Sequence, residues 1–276
     1  MVGHVEWIDF AIVKRVPRPG EIVHVLDAWE EPAGGGSVAA VQLARLAGGC
    51  TFLTALGDDE RGRRTKAGLE AMGVEVHVAW REEPQRRGFV YLDAAGERTI
   101  TVMGDRFTPR AEDPLPWREL RHCDAVYLTA GDAGAVRSAR AARRLVATVR
   151  ALSELNAAHV ELDALVSSAN DAGERYDPAE LDPAPRLVVR TDGAAGGDLL
   201  AADGTSTRWA AAALPGPPVD SYGAGDSFAA GLAYGLAEGM SPGEAVALGA
   251  RCGAACVTGR GPYAGQLGGE PDRAPL

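Results

Sequence analysis

One glycine-rich stretch limits what this chain can fold into more than any other: it reads Val219-Asp220-Ser221-Tyr222-Gly223-Ala224-Gly225-Asp226-Ser227-Phe228. The small and apolar residues that follow contain no proline, and Phe228, Leu232 and Leu236 recur every four positions, which predicts a helix. Glycines just before a helix let the backbone turn sharply and bring its amides against a ligand. The first amides of a helix lack partners within the helix and, with the positive end of the dipole, form an anion site.

Asp226 lies in the first turn of this predicted helix, beside any anion bound there. A carboxylate at that place would repel a phosphate group, so anion binding alone does not account for it. It makes sense if the carboxylate accepts a proton while the amides of Gly223, Ala224 and Gly225 hold charge that develops on the other reactant. The combination indicates phosphoryl transfer to a hydroxyl group, with Asp226 as the base.

Residues 220–226 resemble the Asp-Thr-x-Gly-Ala-Gly-Asp signature of the ribokinase-like (PfkB) carbohydrate kinases, with Ser221 in place of the threonine. The resemblance implies an α/β fold: a ribokinase-like three-layer sandwich with a mostly parallel central sheet and a small β lid. It also implies a Mg²⁺-dependent kinase that transfers the γ-phosphoryl group of ATP to a hydroxymethyl group of a small sugar, polyol or nucleoside-like acceptor. The neighbourhood of Asp220 is where the family can hold a monovalent cation, such as K⁺. The alternative is a glycine-rich strand-to-helix turn of another α/β protein.

Size and composition are compatible with this interpretation. A chain of 276 residues accommodates one large α/β domain or two small ones. From the resemblance we expect one domain over residues 1–276, with lid strands from about 12–32 and 86–103. The formal charge of −10 argues against a nucleic-acid or anionic-membrane surface as partner. The N-terminus has no signal pattern, and no apolar stretch approaches the ~20 residues that span a bilayer, so we expect a cytoplasmic protein. The four cysteines lack Cys-x-x-Cys spacing, so we expect free thiols.

The expected acceptor site includes Asp9, Gly34 and Gly35. The resemblance gives Asp9, in the apolar run Val5–Val13, the acidic position that grips sugar hydroxyls; the alternative is an aspartate on a loop or edge strand that faces water. Gly34 and Gly35 open a predicted helix and match the family's Gly-Gly motif against the acceptor. The asparagine that follows this motif in the family is missing, because residues 38–40 are Val, Ala and Ala. This departure leaves the acceptor open, including whether it is ribose.

The expected nucleotide site lies in two later segments. Thr191, Gly193 and Gly196 match the spacing of the family's Thr-x-Gly-x-x-Gly nucleotide turn. Residues 168–174 take the place of its Asn-x-x-Glu segment, although the spacing is irregular. By resemblance, Asn170 contributes to nucleotide binding and Glu174 to Mg²⁺ through water; the alternative is a pair of solvated loop residues. A predicted helix over 242–258 would border the adenine.

A lid is predicted from a short strand at Ile22–Leu26 and a β-hairpin whose strands flank residues 93–97. In the resembling kinases such a sheet closes over the sugar and excludes water. Three arginines lie on or near the hairpin: Arg86, Arg87 and Arg98. They are interpreted as solvated surface charges; the alternative is that one of them reaches a carboxylate or phosphate group of the substrate. Exposed lid strands often pair, so a homodimer through the lid is expected.

The rest of the chain alternates between strand-like and helix-like segments, which predicts a parallel sheet with helices on both faces. Strands are expected at 50–55, 125–129, 159–163 and 187–191, with a long helix from about Ala135 to Leu155. Ligands then bind beyond the carboxyl ends of the strands. Asp58 and Asp59 are interpreted as a helix cap rather than as paired catalytic acids, and the tail after Gly265 is expected to be frayed.

Four other functions are alternatives to this kinase. A non-catalytic sugar- or nucleotide-binding protein on the same fold would explain the missing asparagine and the irregular 168–174 segment. A vitamin-type kinase of the same superfamily would differ in its acceptor. A dinucleotide-dependent oxidoreductase needs a Gly-x-Gly-x-x-Gly after the first strand, and residues 9–16 contain no glycine. No Walker-type phosphate loop occurs, which argues against a P-loop kinase.

Overall fold

The computed structural model describes residues 1–94 and 96–268. The strands are β1 (Glu6–Ile12), β2 (Asp27–Ala33), β3 (Cys50–Gly57), β4 (Val74–Arg81), β5 (Arg87–Leu92), β6 (Arg98–Met103), β7 (Ala125–Leu128), β8 (Arg144–Thr148), β9 (Ala164–Ser168), β10 (Leu187–Thr191), β11 (Gly197–Ala201) and β12 (Ser206–Trp209). The α-helices are α1 (Gly35–Ala47), α2 (Glu60–Ala71), α3 (Ala133–Ala139), α4 (Leu152–Ala158), α5 (Ala224–Ala237) and α6 (Pro242–Val257).

The central sheet is mostly parallel, as predicted. Its larger part has the order β12-β11-β10-β9-β8-β7, and β3 and β4 form its other part. The start of the chain joins the two parts, because Val2 forms parallel bridges to Leu128 of β7 and to Leu53 of β3. β7 to β10 are parallel to one another, and β11 and β12 continue the sheet antiparallel. The carboxyl ends of the parallel strands therefore lie along one edge, where ligands bind in such sheets.

Alternate residues of the central strands pack against two helix layers. In β8, Val146 belongs to the core that includes α1, α5 and α6, whereas Leu145 and Ala147 belong to the core that includes α3 and α4. Side chains alternate across a strand, so a strand covered on both faces must be apolar throughout. This arrangement holds the start of α5 at the carboxyl edge of the sheet.

A second sheet forms the lid, with the strand order β2-β1-β5-β6. The chain leaves the central sheet at Gly3 and enters the lid at Glu6, so β1 is a lid strand. The predicted hairpin is confirmed, because β5 pairs antiparallel with β6 from Arg87 opposite Met103 to Leu92 opposite Arg98. β2 ends at Ala33, one residue beyond the expected lid range of 12–32, whereas β1 is an addition to that range.

The prediction of one helix from about Ala135 to Leu155 is wrong. α3 ends at Ala139, β8 occupies 144–148, and α4 begins at Leu152. The alanine- and arginine-rich composition favours a helix, but the middle of β8 is fully buried between β7 and β9. Pairing and burial therefore override local propensity here. The strand expected at 159–163 is displaced to Ala164–Ser168, because His159 ends α4 in a left-handed conformation with φ 50°.

One further expectation is wrong, two are confirmed, and the expectation of a frayed tail is contradicted only at its first residue. Residues 22–26 do not form a strand: Ile22 is 90% exposed, and pairing with β1 begins only at Asp27. The tail is not frayed at Gln266, which is buried and donates from Nε2 to the carbonyl of Val38 at 2.9 Å; residues 269–276 lie outside the described residues. The cap is confirmed, because Asp59 accepts from the amide of Gly62 at 2.8 Å. The four cysteines are free thiols, as expected.

Across residues 1–94 and 96–268, none of the helices has both the length and the apolar character that crossing a membrane requires.

Candidate active site

The segment 220–226, which we call the glycine turn, leads directly into α5. Gly223 precedes the helix and has φ 81°, a left-handed conformation that residues with a side chain rarely adopt. A Cβ at this position would also lie 2.9 Å from Cγ1 of Val38 and 3.0 Å from Cβ of Pro262. Both the backbone conformation and the packing against α1 therefore require glycine at 223.

The first amides of α5 are available to a ligand. Within the described part of the chain, the amides of Gly223, Gly225 and Asp226 have no hydrogen-bond acceptor, and no side chain caps the helix. The amide of Ala224 is directed to the carbonyl of Ser221 at 3.4 Å. Free amides at a helix start, together with the dipole, favour an anion. The glycine turn therefore has the features of an anion site.

The carboxyl group of Asp226 lies against the start of α1. A Cβ at Gly35 would be 2.7 Å from Oδ1 of Asp226, so a side chain there would displace the carboxyl group. Burial, followed by the negative charge of Glu174, raises the pKa of Asp226 to about 6, while Arg98 and Arg150 act against that rise. A carboxylate with this pKa is still mostly ionised at pH 7, yet it accepts a proton more readily than an ordinary aspartate.

Asp220 holds the glycine turn in place. It is buried, and its two oxygens accept hydrogen bonds from the amides of Tyr222 at 2.8 Å and Gly261 at 3.1 Å. Burial raises the pKa of its carboxyl group. The hydroxyl of Tyr222 in turn accepts from the amide of Gly34 at 3.2 Å. These contacts tie the glycine turn to the end of α6 and to the predicted Gly-Gly motif.

His4 and Glu6 also belong to the surroundings of Asp226, and the sequence alone did not single them out. The buried His4 has its Nδ1 3.5 Å from Oγ1 of Thr129. Burial and the positive charge of nearby arginines lower its pKa to about 3, so its imidazole is neutral at physiological pH. The charge of Glu6 acts on Asp226. The available signal was two polar residues within three positions after Gly3, where the chain leaves the central sheet.

Asp9 lies further along β1, where its carboxylate forms an ion pair with Arg87 at 3.0 Å. It is partly exposed. Glu6 is thus a second carboxylate of β1, and it is the one whose charge reaches Asp226. The sugar-binding role expected for Asp9 stays a prediction.

The candidate nucleotide residues lie close to one another. A Cβ at Gly193 would be 3.4 Å from Nδ2 of Asn170, and Thr191 donates from Oγ1 to the carbonyl of Ser167 at 3.2 Å. Gly196 has φ 86°, and a Cβ there would be 2.9 Å from the amide of Ala211. The turn after β10 thus lies between the end of β9 and the segment after β12.

A groove of about 510 Å³ lies between this last segment and α6. Its apolar lining comes from both sides, and includes Ala210, Ala212, Met240, Leu248 and Ala250. A largely apolar groove of this size can accept a flat aromatic base.

Glu174 is the carboxylate that the sequence predicts to bind Mg²⁺ through water. It accepts from Nε of Arg150 at 2.7 Å, and Arg150 also forms an ion pair with Asp171. In the part of the chain that the structure describes, no three His, Cys, Asp or Glu side chains are grouped so that they could hold a metal ion. The residues present therefore do not fit an all-protein metal cage. They fit Mg²⁺ that keeps several waters and is bound mainly by phosphate oxygens.

The lid contacts the glycine turn directly. Arg98, the first residue of β6, donates from Nη1 to the carbonyl of Ser221 at 2.9 Å. The same guanidinium lowers the pKa of Asp226 and of Asp220 by its charge. One arginine of the lid thus contacts the glycine turn and acts by its charge on both of its acidic residues.

The comparisons with known proteins point to a family of kinases. Over residues 1–150 and 135–267 the chain matches the family described as pfkB family carbohydrate kinase. It is 28% identical to the ATP-dependent ribose-1-phosphate kinase of Halopiger xanaduensis, over 83% of this chain and 81% of that protein. It is 30% identical to the fructokinase of Salmonella typhimurium, over 73% of this chain and 75% of that protein.

Solved structures agree on the fold. Arabidopsis thaliana ribokinase, whose structure was determined with ribose and ATP, superposes with a TM-score of 0.74 over 96% of this chain and 94% of its own, at 20% identity. The predicted ribokinase-like fold is therefore confirmed. The chain belongs to the pfkB family of carbohydrate kinases, and the predicted phosphotransferase activity towards an alcohol group is confirmed at the level of that family.

Proposed function

We propose that this chain transfers the γ-phosphoryl group of ATP to a hydroxymethyl group of a small sugar, polyol or nucleoside-like acceptor, with Asp226 as the general base. One observation carries the proposal: a carboxylate with a raised pKa lies in the same helix turn as amides that have no acceptor. A base and an anion site side by side are what phosphoryl transfer to a hydroxyl requires.

Asp226 accepts the hydroxyl proton during the attack rather than before it. An alcohol is a far weaker acid than a carboxylic acid, so the proton leaves only as charge moves from the hydroxyl oxygen to phosphorus. Because the pKa of Asp226 is raised, the difference in pKa between the alcohol and this carboxylic acid is smaller than for an ordinary aspartate. Gly35 leaves room for the carboxyl group, and together with Gly34 it borders the acceptor.

The amides of Gly223, Gly225 and Asp226 hold the charge that develops on the transferring group. They are fixed by the helix, so they need little reorganisation when charge appears. The amide of Ala224, which the sequence also predicts to hold this charge, is directed to the carbonyl of Ser221 at 3.4 Å, so its role stays a prediction.

When bound, ATP supplies the phosphoryl group and Mg²⁺ neutralises its oxygens. Glu174 would hold the hydrated metal, and Asn170 with the turn at Thr191, Gly193 and Gly196 would hold the nucleotide. The groove beside α6 suits the adenine. The monovalent cation beside Asp220 stays a prediction, because both oxygens of that carboxylate already accept backbone amides.

The acceptor is a sugar or a closely related alcohol. The relatives named above act on ribose 1-phosphate and on fructose by their names. Both compounds carry a hydroxymethyl group, so the proposed chemistry suits either. Because residues 38–40 include no asparagine, one side-chain amide contact to a hydroxyl of the acceptor is missing. Other contacts of the protein must therefore hold the acceptor.

The lid and the central sheet act as one domain over residues 1–276. The lid strands from about 12–32 and 86–103, together with β1, close over the acceptor and keep water away from the phosphoryl group. A vitamin-type acceptor on the same fold is the nearest alternative. A non-catalytic binding protein is less well supported, because the carboxylate and the free amides that catalysis needs are both present.

The experiment is the substitution Asp226→Asn, which keeps the size of the side chain and removes the proton acceptor. We expect kcat to fall by about 10³-fold or more, with nucleotide binding retained in calorimetry. Asp203→Asn, in the exposed turn after β11, is the matched control and should leave kcat unchanged.

Near-normal turnover of Asp226→Asn would remove the proposed role of the base. Nucleotide binding by the unaltered protein without phosphorylation of any sugar, polyol, nucleoside or vitamin acceptor would instead favour the non-catalytic alternative.

A further inference from the structure

His4 is a buried histidine that the proposed mechanism does not use. It lies where the chain passes from the central sheet to the lid, and only 7% of its surface is exposed. The start of α1 packs closely against its backbone, because a Cβ at Gly36 would be 2.3 Å from the carbonyl oxygen of His4. The backbone of His4 is therefore held at the edge of the sheet where α1 begins.

The imidazole ring of His4 and the carboxyl group of Asp226 border the same space beside Gly35. A Cβ at Gly35 would be 3.8 Å from Cε1 of His4 and 2.7 Å from Oδ1 of Asp226. In the described part of the chain, no hydrogen bond joins the two groups. Because glycine leaves this space open, a small molecule that reaches Asp226 also lies beside the imidazole ring.

The two ring nitrogens of His4 differ in what they contact. Nδ1 lies 3.5 Å from Oγ1 of the buried Thr129. Nε2 has no hydrogen-bond partner among residues 1–94 and 96–268, yet this nitrogen is not sealed from solvent. It is bonded to Cε1, which is the atom of His4 nearest to the position of a Cβ at Gly35. The ring thus keeps one free polar nitrogen on the side of Asp226.

A neutral imidazole with one free nitrogen suits a hydroxyl group. Burial and the charges of nearby arginines lower the pKa of His4 to about 3, so the ring is uncharged and a poor proton acceptor at neutral pH. It therefore does not compete with Asp226 as the base, but it still forms hydrogen bonds. Either tautomer serves, because a hydroxyl group both donates and accepts. A nitrogen that loses water without gaining a partner is unfavourable, which favours a ligand with a hydroxyl at this point.

We propose that Nε2 of His4 forms a hydrogen bond with a second hydroxyl group of the acceptor while its hydroxymethyl group faces Asp226. This inference rests on the proposed function and adds a residue that selects the acceptor. The missing asparagine would lie within residues 38–40 of α1, the helix that begins at Gly35. His4 reaches the acceptor from the side of Gly35 and thus supplies a hydrogen bond that α1 does not.

Two substitutions of His4 distinguish this role from a purely structural one. Asparagine places its amide near the position of Nδ1 and keeps only the contact with Thr129, whereas the amide of glutamine reaches the position of Nε2. We expect His4→Asn to weaken acceptor binding about 10-fold or more, and His4→Gln to rescue it to within about threefold of the unaltered protein. If the ring serves only Thr129, the order of the two variants is reversed, and the inference is wrong.

Calorimetry measures acceptor binding by the protein saturated with Mg²⁺ and a non-hydrolysable ATP analogue. The probes are D-ribose, D-ribose 1-phosphate and D-fructose, and the tightest of the three is then compared with its singly deoxygenated forms. We expect one missing hydroxyl to raise Kd about 10-fold for the unaltered protein and less than threefold for His4→Asn. Binding of none of the three sugars, or unchanged discrimination in His4→Asn, would overturn the inference.

The binding of the ATP analogue shows whether the substitutions disturb the fold in general. Its Kd should stay within about twofold in both His4 variants. His122→Asn, at an exposed histidine in the turn before β7, is the matched control and should change neither the acceptor Kd nor that of the analogue. If His4→Asn weakens the analogue as much as the acceptor, His4 only supports the fold, and the inference is wrong.

The outcomes separate this inference from the proposed function. The measured constants are equilibrium affinities that need no turnover, so they judge His4 even if Asp226→Asn remains active and the proposed base falls. If a sugar is phosphorylated but His4→Asn discriminates among the deoxygenated forms as the unaltered protein does, the kinase stands and only the inference falls.

Discussion

Gly225 is the residue of the glycine turn whose role packing does not explain. A Cβ at this position would meet no atom within 4 Å, and its φ is not in the left-handed region. Gly223 is different, because both its backbone conformation and its neighbours require glycine. A glycine at this open position of the helix start, beside free amides, is explained if a ligand occupies the space that a side chain would fill.

The substitution Gly225→Ala tests this explanation, and the chain offers a matched control. Gly243 takes the same second position in α6 and also has open space around its Cα. Both alanine variants should gain up to about 1 kcal/mol in the free energy of unfolding, because alanine restricts the unfolded chain. We expect only Gly225→Ala to lose kcat/KM, by about 10²-fold. Equal activities of the two variants would contradict the phosphoryl site.

The raised pKa of Asp226 predicts how the activity depends on pH. The base must be ionised, so kcat/KM should rise tenfold per pH unit below about pH 6 and level off above it. Glu174→Gln removes a negative charge that raises this pKa, and the inflection should therefore move to lower pH. Nucleotide binding measured over the same pH range is the control. An inflection near pH 4, unmoved by Glu174→Gln, would mean that a different group titrates.

At the scale of elements, we expect the contact of β6 with the glycine turn to couple closure of the lid to the reaction. Arg98 is exposed, yet its guanidinium reaches the carbonyl of Ser221 at 2.9 Å. Exposed single contacts contribute little to stability, so its value should lie in positioning rather than in folding.

Arg98→Gln should therefore leave the melting temperature nearly unchanged and impair closure. We expect the KM for the acceptor to rise about tenfold, and the hydrolysis of ATP without acceptor to increase relative to transfer, because water enters more easily. The control is Arg118→Gln, which lies outside the lid. A change in stability without any change in this ratio would contradict a role in closure.

The elements also explain where sequence reasoning failed. The segment 135–155 has the composition of a helix, and only the two neighbouring strands make β8 a strand. Likewise, the apolar residues of 22–26 resemble a strand but lie outside the lid pairing, which begins at Asp27. Local propensity is a weak guide wherever distant partners supply the hydrogen bonds.

For the whole molecule, the lid predicts a dimer. β6 is an edge strand in the lid sheet, and all six of its residues are exposed, with Ile100 43% and Val102 48% exposed. An unpaired edge strand with apolar side chains invites pairing with a second copy.

We expect light scattering after size exclusion to give a dimer at micromolar concentration, and Val102→Lys to give a monomer. Leu214→Lys is the matched control, because Leu214 is also an exposed apolar residue, 44% exposed, but lies outside the lid. A monomeric unaltered protein, or a dimer that survives Val102→Lys, would contradict the prediction.

The sequence by itself determined the family, the alternation of strands and helices, and the glycine turn with Asp226, because these depend on residues adjacent in the chain. Gly223, Gly225 and Asp226 belong to one local motif whose spacing is visible without a structure. Only the tertiary structure decided that His4 and Glu6 lie against Gly35 and Gly34, and that the carboxyl group of Asp226 meets the same Gly35. The residues near positions 4, 35 and 226 come from segments far apart in the chain, and only folding brings them together.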